Sequence, residues 1–182
     1  LGPNYALTFI GANLSITIRP ITVTADNISK VYGDTDHLTY HITSGSLAGS
    51  DAFIGSISRN PGENVGRYAI GRGSLTLNNN YLMTFRESTL EITPRAVIVA
   101  ADNKTKIYGN PDPNLTFQIT SGSLVNGDAF IGAPTRNPGE NAGNYSINQG
   151  NLALTGNYSL TFNGARFNIT QRPVSVTADL KT

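Results

Sequence analysis

The sequence predicts a mostly-β protein built as a tandem of small domains. It counts as α+β only through one short helical turn expected in each. Three observations predict this. The stretch Arg59-Asn60-Pro61-Gly62-Glu63-Asn64-Val65-Gly66-Arg67-Tyr68 returns as Arg136-Asn137-Pro138-Gly139-Glu140-Asn141-Ala142-Gly143-Asn144-Tyr145, with eight of the ten positions identical. Its surroundings repeat too: Arg19-Pro20-Ile21-Thr22-Val23-Thr24-Ala25-Asp26 recurs from Arg95 and again from Arg172, at spacings of 76 and 77 residues. Between the turn signals run short segments rich in β-branched and aromatic residues, the pattern of strands.

These spacings divide the chain into four parts. Residues 1–18 form the C-terminal end of a preceding repeat, 19–94 and 95–171 are two complete repeat domains, and 172–182 start a following one. The first residues, Leu1-Gly2-Pro3-Asn4, begin mid-pattern, as a fragment of a longer protein would. A period of 77 residues exceeds the 20–50 of a solenoid repeat and suits a domain with its own core. Such a domain is marginally stable without disulfides, and the chain has no cysteine.

Composition narrows the function classes. Without cysteine there are no disulfides and no thiolate metal sites. Thirteen Lys and Arg against twelve Asp and Glu leave a net charge of +1, which lacks the concentrated basic face of a nucleic-acid binder. No apolar run approaches the roughly 20 residues that span a bilayer. Abundant Thr, Ser, Asn and Gly suit a secreted β protein.

Within the first repeat, Ile21, Val23 and Ala25 alternate with Thr22 and Thr24, giving a strand with one buried and one hydroxyl-rich face. Lys30 to Asp34 reads as a turn, matched by Lys106 to Asn110. Leu38 to Thr43, and Leu115 to Thr120, read as the second strand. The single helical turn is expected at Asp51-Ala52-Phe53, with Asp51 or Asp128 as its cap. Ile54 to Ser58, Tyr68 to Ile70 and Ser74 to Leu77 follow as short strands. Tyr81, Met83 and Phe85 share one face of the next, and Leu90 and Ile92 one face of the last. From Thr89 to Ala100 no Gly/Ser-rich linker intervenes, so a stiff, nearly linear connection is expected between repeats.

The marked residues each have a structural and a functional reading. Asn60-Pro61-Gly62 suits a type II turn, with Arg59 and Glu63 pairing across it; the functional reading is an exposed binding loop. Tyr32, Tyr108, Tyr68 and Tyr145 are the candidate ligand-facing residues. Tyr32 and Tyr108, each before a glycine, are either sugar-stacking platforms or half-buried rings whose hydroxyls bond the backbone. Asp34 and Asp36, answered by Asn110 and Asp112, resemble a calcium loop but lack its full ligand run and downstream Glu, so turn chemistry accounts for them better and no cofactor is expected. His37 and His41 are met by Pro113 and Gln118 in the second repeat, so no acid–base role is expected, and no catalytic or metal site emerges. Lys30 and Lys106 read as surface lysines. Their functional reading is a covalent cross-link to Asn64 and Asn141 beside Glu63 and Glu140.

The motifs in fixed order support a resemblance. Arg-x-hydrophobic-x-Val-x-Ala-Asp-Asn, Lys-x-Tyr-Gly, Gly-Glu-Asn-x-Gly-x-Tyr and Asn-Tyr-x-Leu-Thr-Phe closely resemble MBG repeat domains of the Tyr-Gly-x type. Such domains occur in tandem in large bacterial surface adhesins resembling filamentous haemagglutinins. The resemblance implies a β-grasp-like fold, an extracellular or cell-surface location and a non-enzymatic stalk. That stalk would project a distal binding region in cell adhesion or biofilm formation. The alternative is a carbohydrate-binding module acting by avidity across repeats. The expected partners are neighbouring repeats of the same chain, with extracellular polysaccharide or a host surface in the alternative. Nucleic acid and membrane insertion are not expected, and the chain is expected to be a monomer.

Overall fold

A computed structural model describes residues 2–178. Those residues form fourteen strands and no helix. The first seven are β1 (Arg19–Ala25), β2 (Ile28–Val31), β3 (Tyr40–Ser44), β4 (Ser58–Arg59), β5 (Gly66–Gly71), β6 (Tyr81–Arg86) and β7 (Ser88–Thr93). The same series follows as β8 (Arg95–Ala101), β9 (Lys104–Ile107), β10 (Phe117–Ser121), β11 (Thr135–Arg136), β12 (Gly143–Asn148), β13 (Tyr158–Asn163) and β14 (Ala165–Thr170). The chain divides into two compact units that do not follow the repeat boundary. One takes in the chain up to residue 28, with 37–60 and 68–90. The other takes in 29–36, 61–67 and the chain from 91 onward.

Each repeat contributes a three-stranded and a four-stranded sheet. The orders are β3-β1-β6 and β2-β7-β5-β4 in the first, and β10-β8-β13 and β11-β12-β14-β9 in the second. In the three-stranded sheets the opening strand is central. β1 runs antiparallel to β3 and parallel to β6, with Ile21 opposite Met83 and Val23 opposite Phe85. β8 repeats this between β10 and β13. A parallel partner must be reached by a crossover, which is why β1 pairs with a strand some 60 residues on. Ile21, Val23 and Ala25 are buried and Thr22 and Thr24 half-exposed, so the alternation holds. Full burial of a side chain such as Val23 contributes about 1.5–3 kcal/mol.

In the four-stranded sheet of the second repeat, β12 runs antiparallel to β11 and β14, and β9 runs parallel to β14. Ile147, Phe167 and Ile169 form a buried cluster there, with Ala101, Leu115, Tyr145 and Ala165 packed against it.

The expected α+β, β-grasp-like class is corrected by this all-β architecture. A β-grasp needs a helix across its sheet, and none exists among the described residues. The segment before Asp51 turns back instead of coiling. Gly49 has φ 56°, as Asn126 (57°) and Gly127 (78°) do in the second repeat, and this left-handed backbone stops a right-handed helix. Asp51 and Asp128 therefore cap no helix. Asp51 accepts a hydrogen bond from the Tyr81 hydroxyl at 2.7 Å, and Asp128 one from Tyr158 at 2.8 Å.

Two further expectations change. Ile54 to Ser58 and Ser74 to Leu77 are not continuous strands. An isolated bridge joins Ile54 to Thr76, and β4 holds only Ser58 and Arg59. Gly55, at φ 81°, bends the chain there, and a Cβ on it would meet the Ser74 carbonyl oxygen at 2.3 Å. Lys30 and Lys106 lie in β2 and β9, not in turns; the turn begins two residues later, at Tyr32 and Tyr108.

Candidate functional site

Placement in a strand turns the repeated lysines inward. The Lys30 side chain is 7% exposed and that of Lys106 4%. Neither is the surface lysine that the sequence suggests. Lys106 Nζ lies 2.6 Å from Asp112 Oδ1 and 2.5 Å from Glu140 Oε2. Lys30 Nζ likewise meets Asp36 at 2.6 Å and Glu63 at 2.8 Å. Arg136 completes the second cluster, donating from Nε to Asp112 at 2.5 Å and pairing with Glu140. Its guanidinium stands 4.9 Å from the Phe167 ring centroid and 5.5 Å from that of Tyr145. The cluster thus sits against the buried core of the four-stranded sheet, where charges persist only when paired.

The electrostatics keep these groups ionised. Hydrogen bonds to Asp112 and then Glu140 raise the Lys106 pKa. Burial acts to lower that of Lys30, but Asp36 and Glu63 outweigh it and the net shift is upward. The hydrogen bond from Arg136 holds the Asp112 carboxyl below its ordinary range, and the bond from Lys106 does the same for Glu140. An amine held charged is a poor nucleophile. Of the asparagines offered for cross-linking, Asn64 bonds elsewhere: its Oδ1 accepts from Asn157 Nδ2 at 2.9 Å. Chemically the cluster is an ionic clasp.

That clasp also shapes the repeated Asn-Pro-Gly-Glu stretch. Gly62 and Gly139 have φ of 136° and 139°, beyond the roughly +80° of a type II turn. The side chain of Arg136 closes the bend, donating to the carbonyls of Asn137 at 2.9 Å and Gly139 at 2.7 Å. In the second repeat an Arg–Glu pair, Arg136 with Glu140, spans the bend.

The positions that resemble a calcium loop are held by cationic side chains. Asp34 pairs with Arg95, Asp36 with Lys30, and Asp112 with Lys106 and Arg136, while Asn110 accepts from Arg172 at 2.6 Å. His41 bonds Asp26 at 2.7 Å, and Gln118 bonds the equivalent Asp102 at 3.5 Å. The position holds a side chain hydrogen-bonded to the same aspartate in both repeats.

The four candidate tyrosines fall into three environments. Tyr32 is 6% exposed, its hydroxyl donating to Asp128 at 3.0 Å, a carboxylate and not the backbone group expected. Its ring meets that of Tyr158 edge-on, with centroids 5.5 Å apart at 77°. Tyr68 and Tyr145 are half-buried, with Arg59 and Arg136 over their ring faces at 5.2 and 5.5 Å. Tyr108 is 49% exposed and lines an open hollow with Ala142, Gln171, Arg172 and Val174.

The sequence profile described as MBG domain (YGX type) matches residues 21–91 and 97–168. The chain belongs to this family. Comparison with curated proteins and with solved structures finds no match.

MBG domains are non-catalytic repeat domains, and the Tyr-Gly pairs Tyr32-Gly33 and Tyr108-Gly109 lie inside the two matches. Sequence reasoning overlooked what Asp51 and Asp128 do in this MBG tandem. Each fastens the tyrosine that opens β6 or β13, and the same tyrosine hydroxyl accepts the backbone N–H of Ala48 (2.7 Å) or Val125 (3.0 Å). The available signal was the Asp and Tyr recurring at one separation in both repeats.

Proposed function

We propose that the two MBG repeats are structural spacers of an extracellular bacterial adhesin, a stalk that carries a more distal binding region in cell adhesion or biofilm formation, and that the chain is not an enzyme. The junction carries this reading. β7 ends at Thr93 and β8 starts at Arg95, with Pro94 alone between them. Arg95 donates to the Tyr32 carbonyl at 2.7 Å and pairs with Asp34, and Tyr32 is in turn fastened to Asp128 and Tyr158. All of these residues belong to one compact unit. A connection so tied resists hinge bending, as a spacer requires. Lys30, Lys106 and Arg136 are spent on ion pairs with Asp36, Glu63, Asp112 and Glu140.

The second reading, carbohydrate binding by avidity, draws on the exposed ring of Tyr108. It needs an equivalent platform in each repeat, and Tyr32 is buried. A glycan array and a polysaccharide pull-down with this chain should show no binding at high concentration. Binding that disappears in Tyr108→Ala would replace the spacer reading with the second one.

A further inference from the structure

The first repeat does not hold all of its own loops. The turn at Tyr32-Gly33 and the bend from Pro61 to Arg67 are fastened to each other through Lys30. Its Nζ donates to Asp34 O at 3.0 Å, pairs with Asp36 at 2.6 Å, and reaches Glu63 in the bend at 2.8 Å. Residues 29–36 and 61–67 belong, with the chain from 91 onward, to the second compact unit, whereas most of the first repeat lies in the other.

Four residues of the second repeat receive these loops. The buried Tyr32 ring stands edge-on to that of Tyr158, and its hydroxyl donates to Asp128 Oδ2 at 3.0 Å. Val65 N–H donates to Asn157 Oδ1 at 2.9 Å, and Asn157 Nδ2 donates to Asn64 Oδ1 at 2.9 Å. Gly33, at φ 85°, lies so near Val125 that a Cβ on it would stand 2.5 Å from Val125 Cγ2. The receiving edge is itself braced. The Tyr158 hydroxyl donates to the same Asp128 oxygen at 2.8 Å and accepts from Val125 N–H at 3.0 Å. One carboxylate oxygen thus takes a tyrosine hydroxyl from each repeat. Loss of the second repeat would strip Tyr32 of its ring partner and its acceptor, and Val65 N–H of its acceptor, each at a cost.

We propose that the folding unit of this tandem is offset from the sequence repeat: the Tyr32-Gly33 turn and the 61–67 bend of the first repeat fold with the second repeat and open when it opens. Native proteins open in cooperative units, each with its own free energy, and in tandem arrays the interface between neighbours adds to the stability of the repeats it joins. The joint then has no hinge of its own, because freeing the turn requires undoing the edge of the second repeat. Such coupling holds whether or not the repeats serve as spacers.

Native-state hydrogen exchange on the whole chain tests this, because matched amides report on each repeat. In the first repeat Ile54 N–H donates to Thr76 O at 2.9 Å and Thr76 N–H to Ile54 O at 2.8 Å; Ile131 and Ala153 exchange the same two bonds in the second, at the same distances. Ile147→Ala removes a buried side chain from the core cluster of the second repeat. It is expected to speed exchange at Ile131 and Ala153 on the order of a hundredfold, the scale of a large-to-small core substitution. The amides of Tyr32 and Val65 should speed by the same factor, while those of Ile54 and Thr76 keep their wild-type rates. If the substitution unfolds the second repeat outright, Tyr32 and Val65 should lose protection with it, and Ile54 and Thr76 should retain theirs. Wild-type rates at Tyr32 and Val65 would return the two loops to the first repeat. Equal acceleration at Ile54 and Thr76 would make the whole tandem one unit. Either result would overturn the proposal.

Discussion

At the residue scale, Gly139 shows how a repeated motif is enforced. Its φ of 139° lies where side chains are strained, and a Cβ there would stand 2.3 Å from Tyr145 Cε1. Gly139→Val should therefore destabilise the second repeat by about 2 kcal/mol or more, the usual cost of strained backbone with a steric clash added. Chemical denaturation reads this directly, and unchanged stability would show that the glycine is dispensable. The need for glycine was legible in Asn-Pro-Gly, because backbone geometry is local. The partners of Arg136 were only half legible. Glu140 is four residues away, whereas Asp112 arrives from the loop between β9 and β10 and the Phe167 ring from β14. Lys106 misled for a related reason. A lysine is almost always at the surface, and this one is buried because strand pairing sets it beside Ile169 and two carboxylates come to meet it.

At the scale of elements, the junction strand is the informative piece. β7, Pro94 and β8 run on without a loop, and Arg95 fastens the chain to the turn that follows β2. Arg95→Ala should cost about 1–2 kcal/mol, because a charge-assisted bond to Tyr32 O and an ion pair with Asp34 go together. Hydrogen exchange should quicken at the Tyr32 amide, which is bonded to Thr93 O at 2.9 Å. Exchange as slow as in the wild type would mean that the arginine does not hold the junction. Most strands were legible from alternation, β1 best of all, since Ile21, Val23 and Ala25 report a buried face directly. The helical turn was not. The Asp51-Ala52-Phe53 segment carries a plausible cap, but the backbone turns left-handed at Gly49, and the Asp51 carboxylate is taken by Tyr81, 30 positions on.

For the whole molecule, the ionic clasps predict how stability responds to pH. The carboxyls of Asp26, Asp112 and Glu140 titrate below their ordinary range when folded. Their contribution is therefore complete above the unfolded carboxylate value, about pH 4, and is lost as pH falls through the folded values. Lys30 and Lys106 titrate above their ordinary value, so their contribution is whole at neutral pH and declines only in strong alkali. The melting temperature should hold across the neutral range and fall on acidification below about pH 4. A melting temperature unmoved by acid would show that the clasps add nothing. The sequence alone determined the tandem, the family, the strand-rich character and the glycine at the repeated bend, because each rests on recurrence, alternation or local backbone geometry. Only the tertiary structure decided the absence of helix in the described residues, the burial of the lysines, and which tyrosine is seated and which exposed. Those depend on groups that sequence keeps far apart and that sheet pairing brings within a few ångströms, and no local pattern encodes such a meeting.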